Sequence, residues 1–260
     1  AAQLALAKAW MAALGGQRLP WGWALLFWLA LGAGILVKGP ITPMVAGLTV
    51  LLLGIWQRRW RWLLQLRPLW GLPLCVAVAA PWFVLVTWYR DTGFIGEAAS
   101  KDLFAKILGG EESHGAPPGY YLLTHLLFFW PGSLFALPAV IAAWRQRKAV
   151  GPVVFCLAWL VPTWLFFEAV PTKLPHYVLP TYPALALLVG WALVGAAGTL
   201  GRRWVAWLQW LLAGGGLLLG AGLIALPFFA DHGFLWQGLP AALLAGGGAL
   251  AAVLLVRRGR

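Results

Sequence analysis

Apolar residues run along this chain for 17 positions or more at a time, and short clusters of Arg, Gly and Pro separate the runs. Eight such runs can be marked, roughly 21–37, 40–56, 69–88, 119–144, 150–168, 178–200, 204–229 and 239–256. As helices, each reaches across a hydrocarbon layer of roughly 30 Å. The pattern therefore predicts an all-α integral membrane protein, a polytopic bundle of about eight transmembrane helices forming a single transmembrane domain over 1–260. Prolines inside the runs (Pro81, Pro131, Pro138, Pro162 and Pro227) predict kinks. Only Lys38-Gly39-Pro40 joins the first two runs, which reads as a tight hairpin. Gln57 to Pro68 (QRRWRWLLQLRP) alternates Arg with Trp and Leu, as an interfacial segment against anionic headgroups would. The longest polar stretch is a loop over 89–118. Within it, Gly96 to Leu108 predicts a short interfacial helix, with Leu103, Phe104, Ile107 and Leu108 on one face and Glu97–Lys101 and Asp102–Lys106 as i,i+4 pairs. A second polar loop covers 168–177. The chain starts at Ala1 with no initiator Met and no signal-peptide pattern, so it is expected to be a fragment lacking N-terminal spans and a first outer loop.

Composition agrees with this pattern. The chain is 62% hydrophobic and 10% charged, against about 25% charged residues in a soluble domain. A net charge of +12 could suggest nucleic acid, but its distribution points elsewhere. With loops placed on alternate sides, fourteen of the 19 basic residues collect on one side: Lys8, Arg18, the Arg58–Arg67 segment, Arg145–Lys148, Arg202–Arg203 and the Arg257–Arg260 tail. The positive-inside rule makes that side cytoplasmic. The other side receives all seven acids and most of the histidines, so acid–base chemistry faces outward. Cys75 and Cys156 fall inside runs, where apolar packing explains them. Tryptophans gather near the ends of runs, as in an aromatic belt.

Three outer segments carry the candidate chemistry. The Lys38 hairpin, the long loop and the stretch Pro171–Pro183 (PTKLPHYVLPTYP) supply Lys38, Arg90, Lys101, Lys106 and Lys173 as cations at headgroup level. Cations there suit a lipid-linked phosphate, whose growing negative charge as a leaving group needs neutralising. The plainer reading is that long basic side chains near run ends snorkel to the interface. Lys173, flanked by prolines and followed by His176 and Tyr177, fits that plainer reading least. Glu111, Glu112 and His114 form an EESH cluster, a candidate base site or part of a metal site, or a solvated loop. A divalent ion needs more ligands than this loop supplies, so no metal or other cofactor is assigned. Tyr120 and Tyr121 open the fourth run, where belt anchoring is the ordinary role. No Gly-rich phosphate loop, HExxH or CxxC occurs, which speaks against a soluble-type nucleotide site.

The runs LGAGILVKGP (Leu31–Pro40), APWF (Ala80–Phe83), HGAPPGYYL (His114–Leu122) and KLPHYVLPTYPALALL (Lys173–Leu188) resemble glycosyltransferase family 39. The similarity is greatest to its bacterial branch of lipid A 4-amino-4-deoxy-L-arabinose transferases. The resemblance implies a GT-C-type helix bundle in the bacterial inner membrane with a periplasmic active face. Such an enzyme moves a sugar, with inversion, from a polyprenyl-phosphate donor to a lipid A-like or protein acceptor. It implies that Lys173 and Tyr177 hold the donor phosphate with Arg90, Lys101 or Lys38. His176, His114, Glu111 and Glu112 would line the acceptor side, with Tyr121 among the substrate-binding residues. The family's catalytic Asp lies in a first periplasmic loop, which would fall upstream of Ala1, so no catalytic residue is assigned here. The chain departs from the family where relatives often carry a basic or histidine-containing stretch and it reads EAASKDLFAKIL (Glu97–Leu108). Two other classes stay open on the residues alone. A flippase of polyprenyl-linked sugars would use the same cations without a catalytic acid, and a membrane scaffold would use none of them.

Overall fold

The computed structural model describes residues 1–89, 116–148, 151–195, 202–229, 236 and 238–258. The helix expected at 96–108 lies outside them. In the described residues the regular elements are helical throughout. They are α1 (Ala2–Leu14), α2 (Trp21–Lys38), α3 (Ile41–Gln57), a 3₁₀ turn (Arg61–Leu66), α4 (Pro68–Tyr89), α5 (Tyr120–Phe128), α6 (Ser133–Gln146) and α7 (Gly151–Ala169). A second 3₁₀ segment (Pro175–Thr181) leads into α8 (Tyr182–Gly195), followed by α9 (Arg203–Phe229), α10 (Gly238–Ala242), a π turn (Leu243–Gly247) and α11 (Gly248–Arg258). Five of these stretches are long and apolar enough to cross a membrane: Trp21–Lys38, Pro68–Leu85, Gly151–Ala169, Pro175–Gly195 and Arg203–Ala225. Ile41–Gln57 and Gly238–Leu254 are apolar but shorter. Large apolar side chains such as Val37, Leu69, Trp88 and Val194 stand more than four-fifths exposed, which a multi-pass membrane protein satisfies with lipid.

The helices group into two compact units. The first comprises Ala1–Pro118 and Lys148–Thr181. Its core gathers Leu6, Ala9 and Trp10 of α1, Ala24, Phe27 and Leu31 of α2, Ala46 and Leu53 of α3, and Val154, Phe155 and Ala158 of α7. Trp10 and Phe155 meet with ring centroids 6.0 Å apart. Helices α2 and α4 approach so closely at Gly32 that a Cβ there would lie 2.8 Å from Val78 Cβ and 2.9 Å from the Cys75 carbonyl oxygen. Trp28 closes the lower end of this contact by donating its indole N–H to the Leu66 carbonyl at 2.7 Å. Helix α1 was not among the eight predicted runs. Thirteen residues with a lysine in the middle fall short of a span, but Ala2, Ala5, Leu6, Ala9 and Trp10 recur at helical spacing and are all buried.

The second unit comprises Gly119–Arg147 and Tyr182–Arg260. Leu134, Phe135, Ala139 and Ala142 of α6 pack with Val189 and Ala192 of α8, Val205 and Ala213 of α9, and Ala249 and Val253 of α11. The fourth predicted run is not one helix. It breaks at 129–132, around a cis Trp130–Pro131 bond, because Pro131 has no N–H for the ladder. Ser133 Oγ takes over one freed group by donating to the Leu126 carbonyl at 2.9 Å, and Trp130 Nε1 ties the break to the π turn by donating to Ala245 O at 2.9 Å.

Candidate functional site

The first unit brings two of the three candidate segments together. Helix α2 ends at Lys38, and the chain reverses through Gly39 at φ 59° and ψ −137° before Pro40 opens α3. The Gly39 N–H returns to the Ile35 carbonyl at 2.8 Å, closing the helix end. That backbone conformation is strained for any residue with a Cβ, although nothing lies within 4 Å of where a Cβ would stand. Gly39→Ala is therefore expected to destabilise the protein by about 1–3 kcal/mol through the backbone alone. Thermal unfolding in detergent measures this, and an unchanged midpoint would show that the turn relaxes freely.

The second segment follows α7. Val170 N bonds back to Phe166 O at 3.2 Å, and the chain then extends through Thr172 and Lys173 before turning into the 3₁₀ segment. Proline at 171, 175 and 180 keeps this stretch out of a regular α-helix. Val178 and Thr181 are fully buried and seat it, with Thr181 Oγ1 donating to Val178 O at 2.6 Å. Tyr177 is half-buried, its ring 5.6 Å from that of Phe167 on α7 and 5.0 Å, edge-on, from that of His176. His176 is exposed.

Lys173 is the unusual member of this group. It is only 5% exposed, and its ammonium donates to the Val170 carbonyl at 2.8 Å. An ammonium carries three N–H donors, and burying one with a single carbonyl partner is costly unless an anion joins it. Beside it Thr172 Oγ1 is buried and has no hydrogen-bond partner among the described residues. The arrangement suits an anionic oxygen: one desolvated cation, a hydroxyl next to it in sequence, and an aromatic shelf of Phe167, Tyr177 and His176. Buried placement distinguishes Lys173 from a lysine that merely snorkels to the interface.

Of the other sequence candidates, Tyr121 lies in the second unit, fully buried, with its ring edge-on to that of Tyr120 at 5.2 Å. Arg90, Lys101, Glu111, Glu112 and His114 lie outside the described residues. Cys75 and Cys156 are buried free thiols. Thr172 was not among the candidates drawn from the sequence. Its position next to Lys173, inside a segment that prolines hold extended, was the available signal.

No family model matches the chain. Curated relatives do. It is 35% identical over 230 residues to the undecaprenyl phosphate-α-4-amino-4-deoxy-L-arabinose arabinosyl transferase of Pseudomonas aeruginosa (strain UCBPP-PA14), a match covering 87% of this chain and 40% of the relative. It is 32% identical over 197 residues to the protein of the same name from Erwinia tasmaniensis, covering 75% of this chain and 35% of the relative. The chain thus spans about two-fifths of the length of the curated relatives it matches. Among solved structures it is similar to ArnT from Cupriavidus metallidurans bound to undecaprenyl phosphate, with a TM-score of 0.65 at 24% identity, over 91% of this chain and 43% of that one. The apo structure of the same protein gives 0.63 at 25% identity, with the same coverage. This likeness supports the GT-C-type helical fold expected from the sequence.

Proposed function

We propose that this chain, a relative of the undecaprenyl phosphate-α-4-amino-4-deoxy-L-arabinose arabinosyl transferases over 87% of its length, is the donor-holding part of a membrane glycosyltransferase. The enzyme takes a sugar from a polyprenyl-phosphate donor and passes it to a lipid A-like acceptor at the periplasmic face of the bacterial inner membrane. The observation that carries this reading is the buried ammonium of Lys173 within the PTKLPHY segment, in the same unit as Lys38, His176 and Tyr177. In this reading the eight runs all span, the shorter α3 and α10–α11 and the broken α5–α6 pair included.

During transfer the bond between the anomeric carbon and the phosphate oxygen breaks, and the electron pair leaves with the polyprenyl phosphate. Negative charge therefore grows on the phosphate, and a cation already stripped of water stabilises it without reorganising. Lys173 supplies that cation, and the Tyr177 hydroxyl donates a further hydrogen bond to the phosphate. Lys38 contributes longer-range positive charge, joined by Arg90 and Lys101 of the 89–118 loop. His176, with His114, Glu111 and Glu112, lines the acceptor side. The attacking oxygen of the acceptor bonds to the anomeric carbon on the opposite face, giving inversion. Its proton, where it carries one, goes to a base to which no residue of this chain is assigned.

Tyr177 offers a test that separates chemistry from packing. Tyr177→Phe keeps the ring against Phe167 and removes only the hydroxyl. A hydrogen bond to a charged group is worth about 1.5–3 kcal/mol, so turnover by the full-length protein is expected to fall about 10- to 100-fold with an unchanged unfolding midpoint. Product quantified by mass spectrometry measures this; wild-type turnover would remove Tyr177 from the phosphate site.

A further inference from the structure

At the other end of α3 from Lys38, a cavity of about 640 Å³ opens between the C-terminus of α1, the end of α3 and the first 3₁₀ turn. Arg58, Arg59 and Arg61 line it, together with the indoles of Trp10, Trp60 and Trp62. Its frame is fixed by hydrogen bonds. Trp10 Nε1 donates to Gln57 Oε1 at 3.3 Å, Leu19 N donates to Gln65 Oε1 at 2.9 Å, and Gln65 Nε2 donates to the Gln17 carbonyl at 3.2 Å. Arg58 ends α3 in the left-handed conformation, φ 52° and ψ 30°, which turns the three arginines around the opening. All three are exposed, and among the described residues no acidic side chain lines the cavity. The first acid in the sequence is Asp91. Three guanidiniums therefore share a cavity with three indoles, and Ile55 of α3 and Leu64 of the 3₁₀ turn, on the elements that bound it, are exposed.

We infer that this cavity binds the phosphate of an anionic glycerophospholipid, on the membrane face opposite the Lys173 segment. Charge selects the phosphate, because guanidinium forks match its oxygens in pairs. The apolar surroundings select a lipid over a free anion, since the glycerol backbone and first acyl carbons lie against Trp60, Ile55 and Leu64. Position separates this site from the donor site. Seventeen residues of α3 stand between Lys38-Gly39-Pro40 and Arg58, and a helix of that length rises about 25 Å. A lipid held here is in the leaflet away from the reaction, so it serves to anchor the α1–α3 end of the first unit and does not enter the chemistry.

The test is lipid retention by the purified full-length protein in native mass spectrometry, titrated separately with dioleoylphosphatidylglycerol and dioleoylphosphatidylcholine. Wild type is expected to hold phosphatidylglycerol about tenfold or more tightly than phosphatidylcholine. The R58Q/R59Q/R61Q variant is expected to lose that preference, and R58K/R59K/R61K to keep part of it, being charged but without the paired fork. Millimolar inorganic phosphate is expected not to displace the lipid. Equal retention of the two lipids by wild type, which requires no variant to fold, would overturn the inference. So would an undiminished preference in the glutamine variant, or ready displacement by inorganic phosphate.

Discussion

Lys173→Ala is expected to lower sugar transfer by the full-length protein about 100- to 1,000-fold, the loss typical of removing one preorganised group that stabilises transition-state charge. The ammonium is 5% exposed and held by the Val170 carbonyl, so its charge acts through protein and lipid, where an ion interacts far more strongly than in water. A substitution here could also act by unfolding the segment, and Lys173→Met separates the two causes. Methionine fills a similar volume and removes the cost of holding an ammonium away from water with no anion beside it. Lys173→Met is therefore expected to unfold at or above the wild-type temperature while remaining as inactive as Lys173→Ala. Lys173→Arg is expected to restore little, because a planar fork does not fit where a compact ammonium is enclosed. Full activity in the methionine variant would remove Lys173 from the donor site.

Gly32→Val is expected to weaken the first unit's fold. The new Cβ would stand 2.8 Å from Val78 Cβ and 2.9 Å from the Cys75 carbonyl oxygen. One is the root of a β-branched side chain and the other is backbone, so neither can swing aside, and α2 and α4 must separate along a contact that runs through their centres. Overpacking of this kind costs about 1–3 kcal/mol, occasionally more. Gly47→Ala on α3 is the matched control: nothing lies within 4 Å of its Cβ position, and alanine favours a helix over glycine. Thermal unfolding in detergent should show a lowered midpoint for Gly32→Val and an unchanged or raised one for Gly47→Ala. Equal midpoints would mean that the α2–α4 approach is looser than described.

Helix boundaries were readable wherever an apolar run meets charge, glycine or proline. Trp21–Lys38, Ile41–Gln57, Pro68–Tyr89 and Gly151–Ala169 each begin and end within a residue of the predicted run. Hydropathy failed where helix formation does not depend on length in a membrane. Helix α1 is short and carries Lys8, yet it is held by burying Leu6, Ala9 and Trp10, a contact with partners distant in sequence. The break at Trp130–Gly132 was marked only by Pro131, and Pro138 and Pro162 show that a proline alone does not stop a helix here. For the site, motif resemblance picked out the PTKLPHY segment, and its prolines explain why it is not α-helical. The burial of Lys173 was not legible, because a lysine in an irregular segment carries no periodicity to show which way it faces.

In the proposed reaction Lys173 and its neighbours hold the phosphate of a lipid-linked sugar during its transfer. The most direct measurement supplies the purified full-length protein with undecaprenyl phosphate-α-4-amino-4-deoxy-L-arabinose and lipid A, then follows both lipids by mass spectrometry. Lipid A is expected to gain one sugar as undecaprenyl phosphate is released in equal amount, and Lys173→Met is expected to abolish both changes together. Lipid A unchanged in mass with the wild-type protein, or equal conversion by Lys173→Met, would contradict it.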